Sequence, residues 1–138
     1  MIDRLTKAAW TIPCRRSATA RDAARMYYEG PYRILGLPQE VISDRGPQFQ
    51  ADFTNELSCI LGIKWQLSSA GHSQTAGQVE NYNQWINQRL RPFVNHFQDN
   101  WSCAILALDA AQIGLPYNST GLQPYKVLFG YPMPMLFD

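Results

Sequence analysis

Two carboxylates, Asp44 and Glu80, stand with thirty-five residues between them, each in a local pattern suited to presenting an acidic side chain. Carboxylate oxygens are the donors that Mg²⁺ prefers. Cations held this way equip a protein for phosphoryl transfer, in which both the attacking and the leaving oxygen need stabilising. An Asp and a Glu at that separation carry little weight alone, because the chain has 11 acidic residues. The surroundings carry the signal. Val41-Ile42-Ser43 is an apolar, β-branched run that ends at Asp44 and meets a Gly46-Pro47 break, the pattern of a buried strand with a carboxylate at its C-terminal end. Gly71 to Gly77 is a glycine-bounded polar loop, and Glu80 follows just inside the next helical pattern. Each acid also has a purely structural reading. Asp44 would cap the turn at Gly46-Pro47, and Glu80 would be a first-turn acid favoured by the helix macrodipole.

The elements that must position these groups follow from periodicity. Ala8 to Pro13 reads as a short strand, with Met1 to Asp3 the tail of another. Thr19 is an N-cap for a helix on which Ala20, Ala23, Ala24, Tyr27 and Tyr28 recur until Gly30-Pro31 stops it. Phe49, Phe53, Leu57, Ile60 and Leu61 predict an amphipathic helix ended by Gly62. Ile63 to Leu67 alternates with period two, as a half-buried strand does. Val79, Tyr82, Ile86, Leu90, Phe93 and Phe97 form one apolar stripe on a long helix, with Glu80 about 100° away at its edge. Pro92 should kink or end that helix near Arg91. Trp101, Ala104, Ile105, Leu108 and Ala111 predict a further helix capped by Asp99 or Asn100, and Gln123 to Phe129 a short one. Alternating strands and helices make the fold class α/β.

Ser43-Asp44-Arg45-Gly46-Pro47-Gln48-Phe49 and Gly77-Gln78-Val79-Glu80-Asn81-Tyr82-Asn83 together resemble the catalytic core of integrases from retroviruses and gypsy-type long-terminal-repeat retrotransposons, the family with a D,D-35-E triad. The resemblance spans nearly the whole chain in order. Asp3-Arg4-Leu5-Thr6-Lys7 with Ile12-Pro13 is similar to the family's second-to-third strand hairpin, and Gly36-Leu37-Pro38 precedes the Asp strand as it does there. Gly71-His72-Ser73-Gln74-Thr75-Ala76-Gly77 resembles the loop before the Glu helix, although the family's usual H-P-Q-T-D-G has lost its proline and acid. Ser119-Thr120-Gly121-Leu122-Gln123-Pro124-Tyr125 with Phe129-Gly130-Tyr131-Pro132 resembles the closing segment.

The resemblance implies a ribonuclease H-like integrase core over residues 1–113, with 114–138 its closing segment. It implies Asp44 and Glu80 as catalytic groups and as the second and third ligands of Mg²⁺ or Mn²⁺. Asn83, one turn beyond Glu80, would orient Glu80 or meet DNA, and Arg89 and Arg91 are candidate DNA contacts as a local basic cluster, with a solvated helix face as the alternative reading. In the family the first Asp lies on an opening strand upstream of the hairpin. The expectation is therefore a core without its first strand and part of its second, inactive as given; Asp3, which maps to the second strand, is a poor substitute. The implied partners are DNA, as element ends and target, and further copies of the chain, without membrane or small-molecule cofactor, and the implied location is the nucleus. Two alternatives stand beside this reading. One is a domesticated or decayed non-catalytic nucleic-acid-binding module, and the other is a ribonuclease H-type hydrolase, which the 35-residue spacing and the Ser119-Thr120-Gly121 segment fit less well.

Composition is that of an ordinary globular protein, 46% apolar and 17% charged, over 138 residues. A net charge of +1 excludes bulk basic character, so DNA contacts must come from local clusters, of which Arg15-Arg16 with Arg21 and Arg89 with Arg91 are visible. Asn81 and Gln84 stand where the family often has positive charge. Cys14, Cys59 and Cys103 are odd in number and lack C-x-x-C spacing, which argues against a disulfide framework or zinc site and for small buried apolar residues. His72 and His96 are too few for a His-His-Cys-Cys module, and His72 reads as a loop hydrogen-bonder. Tyr82, Trp85 and Trp101, at helical spacing, read as core or interface rather than base-stacking groups. No apolar run approaches about 18 residues, and no signal peptide is evident, which fits a soluble intracellular chain.

Overall fold

The computed structural model describes residues 1–65 and 76–134, which fall into two compact units, one of residues 1–11 and 78–138 and one of 12–77. In the second unit, α1 (Ala20–Glu29) starts at Thr19, whose side chain accepts from the Asp22 backbone N–H while the Asp22 carboxylate accepts from the Thr19 N–H, a complete capping box. A single-turn helix, α2 (Tyr32–Leu35), follows the Gly30-Pro31 stop. Helix α3 (Pro47–Leu61) begins with proline, whose fixed φ suits a first helical position, and ends at Gly62 in the left-handed conformation (φ 66°). α1 packs on α3. The predicted apolar faces meet there: Ala20, Ala24, Tyr27, Phe53 and Leu57 are buried together, with Val41, Phe49, Ile60 and Trp65 packed around them. Tyr27 meets Phe53 edge-on at 5.9 Å and donates its hydroxyl proton to the Gly36 carbonyl (2.8 Å), tying α1 to the turn beyond α2.

The first unit contains α4 (Ala76–Leu90), a 3₁₀ turn (Arg91–Phe93), α5 (Trp101–Gly114) and α6 (Pro124–Phe129). α4 ends where Pro92 requires. Val79, Phe93 and Phe97 are exposed, so only the middle of the expected stripe is buried, at Tyr82 and Ile86. Beyond Leu90 the α-helix gives way to the 3₁₀ turn, which does not carry the stripe onward. Asn100 occupies the N-cap position of α5 without capping it. Its side chain instead accepts from the Asn95 N–H and donates to the Phe93 carbonyl (each 2.9 Å), closing the 93–100 loop. α6 packs on α5.

The helices expected of an α/β chain are present, but the strands are not formed as expected. Among the described residues the β structure is one antiparallel bridge, Ile2 to Ala9, inside a hairpin closed by Asp3 N–H to the Ala8 carbonyl (2.8 Å) and Trp10 N–H to the Met1 carbonyl (2.8 Å). Lys7, at φ 65°, makes its turn. Val41-Ile42-Ser43 is not a strand: it is half-buried irregular chain. A strand is completed by a neighbour that takes its N–H and C=O groups, and no described segment pairs with this run. Ile63 to Trp65 is likewise irregular, and the rest of that expected strand lies outside the described residues. All three cysteines are exposed, not buried. Cys59 and Cys103 each stand two positions from a residue facing the interior of α3 or α5, and about 200° of helix turns them outward. No described helix is long and apolar enough to cross a membrane.

Candidate functional site

Asp44 belongs to the second unit and Glu80 to the first. Asp44 is exposed in the turn ahead of α3. It is not the capping group of that turn. The Ser43 hydroxyl performs the capping by accepting from the Arg45 N–H (3.1 Å), leaving the Asp44 carboxylate free of hydrogen bonds and ion pairs among the described residues. Its neighbour Arg45 is held on two sides. The guanidinium lies over the Phe49 ring at 4.5 Å and donates to the Ala18 carbonyl, so the turn is clamped to α3 and to the residue before the α1 cap. Gly46, at φ 90°, makes the backbone reversal between Asp44 and Pro47.

Glu80 is exposed on α4, beyond the first helical turn, because the helix begins at Ala76. The macrodipole acts mainly within that turn, so the purely structural reading of Glu80 loses its basis. Asn83 stands one turn further along, also exposed, and neither side chain is engaged among the described residues. Arg89 is stacked on Trp85, its guanidinium 4.3 Å from the ring centroid, and Trp85 stacks in turn on Tyr82 (5.9 Å). Arg91 is exposed and lines a shallow hollow of about 520 Å³ with Asn87, Asn95, His96 and Gln98. In the other unit Arg15 and Arg16 are exposed, whereas Arg21 is bound to Glu56 through two hydrogen bonds (3.1 and 3.3 Å), which raises the pKa of the guanidinium. His72 and the loop from Gly71 to Thr75 lie outside the described residues.

Asp3 is already committed. Its carboxylate accepts from the Thr6 N–H (2.8 Å) and the Thr6 hydroxyl (2.6 Å), closing the hairpin turn. Asp44 and Glu80, each in its own unit, offer carboxylate oxygens that are uncommitted among the described residues. Among the described residues no group of three metal-ligating side chains forms. Taken singly, each carboxylate is a donor of the kind that Mg²⁺ or Mn²⁺ accepts.

The structure adds residues that periodicity alone passed over. Asp109 on α5 accepts from the Thr11 N–H (2.6 Å), the Thr11 hydroxyl (2.6 Å) and the Tyr82 hydroxyl (2.7 Å). One turn along, Gln112 accepts from the Ala9 N–H (3.2 Å) and donates to the Lys7 carbonyl (2.7 Å). Tyr82 sits in a core with Ala9 and Ile86, and burial pushes its hydroxyl pKa well above the ordinary value, so it remains a proton donor. The signal was in the sequence. Asp109 and Gln112 are polar residues inside the otherwise apolar run from Ile105 to Ile113, and buried polar groups require partners.

No family model matches the chain. It is similar to the Gag-Pol polyprotein of baboon endogenous virus (strain M7), 34% identical over 121 residues, which is 87% of this chain and 7% of the relative. It is similar also to the Gag-Pol polyprotein of feline leukemia virus, 30% identical over 134 residues, 97% of this chain and 8% of the relative. The Transposon Tf2-3 polyprotein of Schizosaccharomyces pombe is 25% identical over 131 residues, 95% of this chain and 10% of the relative. The chain thus spans a tenth or less of the length of these relatives, and it is homologous to one segment of retroviral and retrotransposon Pol polyproteins.

Proposed function

We propose that this Pol-type segment is the catalytic core of an integrase, of the ribonuclease H-like class, whose chemistry is metal-dependent joining of DNA ends to target DNA. The observation that carries the reading is the state of Asp44 and Glu80. In a chain homologous to Pol along most of its length, the two carboxylates in integrase-type contexts are exposed and, among the described residues, uncommitted. Other acids are spent on structure, Asp3 on its turn and Asp109 on Thr11 and Tyr82.

Paired Mg²⁺ or Mn²⁺ ions, when bound, supply charge stabilisation to the attacking and leaving oxygens of a phosphodiester. The work of the chain is to hold donors ready and to bring DNA to them. The Arg45 clamp fixes the turn that presents Asp44, and α4 presents Glu80 with Asn83 one turn away, where its amide can donate to Glu80 or to a phosphate oxygen. Arg91, exposed at the end of α4, offers a guanidinium for phosphate; Arg89 offers one already ordered by Trp85.

The test is joining of duplex oligonucleotides in Mn²⁺ by the chain extended with an upstream Asp-bearing strand of the integrase type. Joining that is abolished by Asp44→Asn and by Glu80→Gln is the expected result. Joining that survives either change would place the active site elsewhere. A second reading is a non-catalytic nucleic-acid-binding module. It predicts DNA binding without joining even after the extension.

A further inference from the structure

We infer that Asp109 is a positioning residue for Glu80, acting through the Tyr82 hydroxyl to fix the rotation and height of α4. This rests on the reading of Glu80 as a cation ligand. Tyr82 and Glu80 are two positions apart on α4, so about 200° of helix separates them. Fixing Tyr82 inward fixes Glu80 outward, where it is exposed.

Apolar packing alone would hold this relation loosely. The Tyr82 ring, Ile86 and Ala9 are buried together, but hydrophobic contact is non-directional and tolerates a helix that slides or turns by a fraction of a residue. A hydrogen bond weakens steeply as its angle departs from linearity. The Tyr82 hydroxyl is therefore the element that converts burial into a defined orientation. Its acceptor is itself immobilised, since the same Asp109 carboxylate takes both the N–H and the hydroxyl of Thr11 at 2.6 Å. The Thr11 and Tyr82 hydroxyls stand 2.9 Å apart and close the triangle. Gln112, on the next turn of α5, grips the hairpin backbone at Ala9 and Lys7, so α5 cannot rock about Asp109 without breaking a second pair of bonds. Three chain segments, the end of the hairpin, α4 and α5, meet at one carboxylate. Asp109 has no need to touch the cation to govern Glu80; it sets where the helix bearing Glu80 can lie.

Groups that orient a ligand without contacting the metal commonly change affinity about 10- to 100-fold when removed. The experiment is Mn²⁺ titration of the 138-residue chain, read by water-proton relaxation, with the unfolding midpoint recorded for each variant. Tyr82→Phe keeps the ring and removes only the hydroxyl, and Asp109→Asn keeps the shape and removes the charge. Ile86→Val is the control, a buried change on the same helix that removes no hydrogen bond. Tyr82→Phe and Asp109→Asn should each weaken Mn²⁺ binding about tenfold, while Ile86→Val leaves it at the wild-type value and Glu80→Gln removes it. Wild-type affinity in both Tyr82→Phe and Asp109→Asn, with Glu80→Gln still destructive, would overturn the positioning role and leave the ligand reading standing. An Ile86→Val loss equal to that of Tyr82→Phe would reduce the cluster to general stability and likewise overturn it. Unchanged binding in Glu80→Gln would overturn the ligand reading itself, and the positioning role with it.

Discussion

Truncating Leu57 to alanine perturbs the second unit at its tightest point. The side chain is fully buried between α1 and α3, against Ala20, Ala24, Tyr27 and Phe53. Losing three carbons forfeits roughly 2.4 kcal/mol of transfer free energy at about 0.8 kcal/mol per buried methylene. The cavity left behind adds to this, and large-to-small core changes of this type cost about 2–5 kcal/mol in all. Neither flanking helix can relax cheaply. α1 has 10 residues, too few to be stable alone, so it depends on α3 for its structure. At about 0.05–0.15 kcal/mol per residue, a unit of this size has little to spare, and Leu57→Ala should melt much of it near room temperature. Hydrogen exchange resolved by segment is the assay, because it separates the two units. The amides of α1 and α3 should lose protection by a factor of about 30 or more, equivalent to at least about 2 kcal/mol, while those of α5 hold theirs. Asp44, fixed by a turn clamped to α3, should lose its order with them. A loss below about 1 kcal/mol, or an equal loss in α5, would refute the account of α1 on α3 as an independently packed core.

Removing the α1 cap by Thr19→Ala should destabilise the same unit by about 1 kcal/mol, measured by urea unfolding. Hydrogen bonds from Thr19 hold the Asp22 carboxyl below the ordinary carboxylate range. The capping-box contribution should therefore be present above about pH 4 and vanish as the pH falls through the depressed folded value; an acid titration of wild type against Asp22→Asn checks the sign. DNA affinity should be weak and salt-dependent, with Arg91→Ala reducing the slope of log affinity against log salt by about 0.9 if Arg91 contacts one duplex phosphate. An unchanged slope would remove Arg91 from the interface.

What the sequence made legible was local. Thr19, Gly30-Pro31, Pro47, Gly62 and Pro92 punctuate the helices where they start and stop, because each acts through its own backbone or cap. Phe53 and Leu57 could be placed inside from spacing alone, and Tyr82 likewise. What failed depended on partners distant in the chain. Val41 to Ser43 has the composition of a strand, but pairing is a property of two segments, and no local window contains the second. Phe93 and Phe97 continued a helical period past the proline that ends the helix, so they surface, Phe93 in the 3₁₀ turn and Phe97 in the loop beyond it. Arg21 looked like a free cation until Glu56, thirty-five positions on, claimed it. For the candidate site, residue type and neighbours single out Asp44 and Glu80 as candidates, while the Asp109 cluster on the Glu80 helix joins residues up to 98 positions apart and is visible only in three dimensions.

The proposal that Asp44 and Glu80 are cation ligands is tested most directly by Mn²⁺ titration of Asp44→Asn and of Glu80→Gln against the wild-type chain under identical conditions. Each change should remove bound Mn²⁺, since each takes away a carboxylate donor. Wild-type binding in either variant would contradict the assignment of that residue.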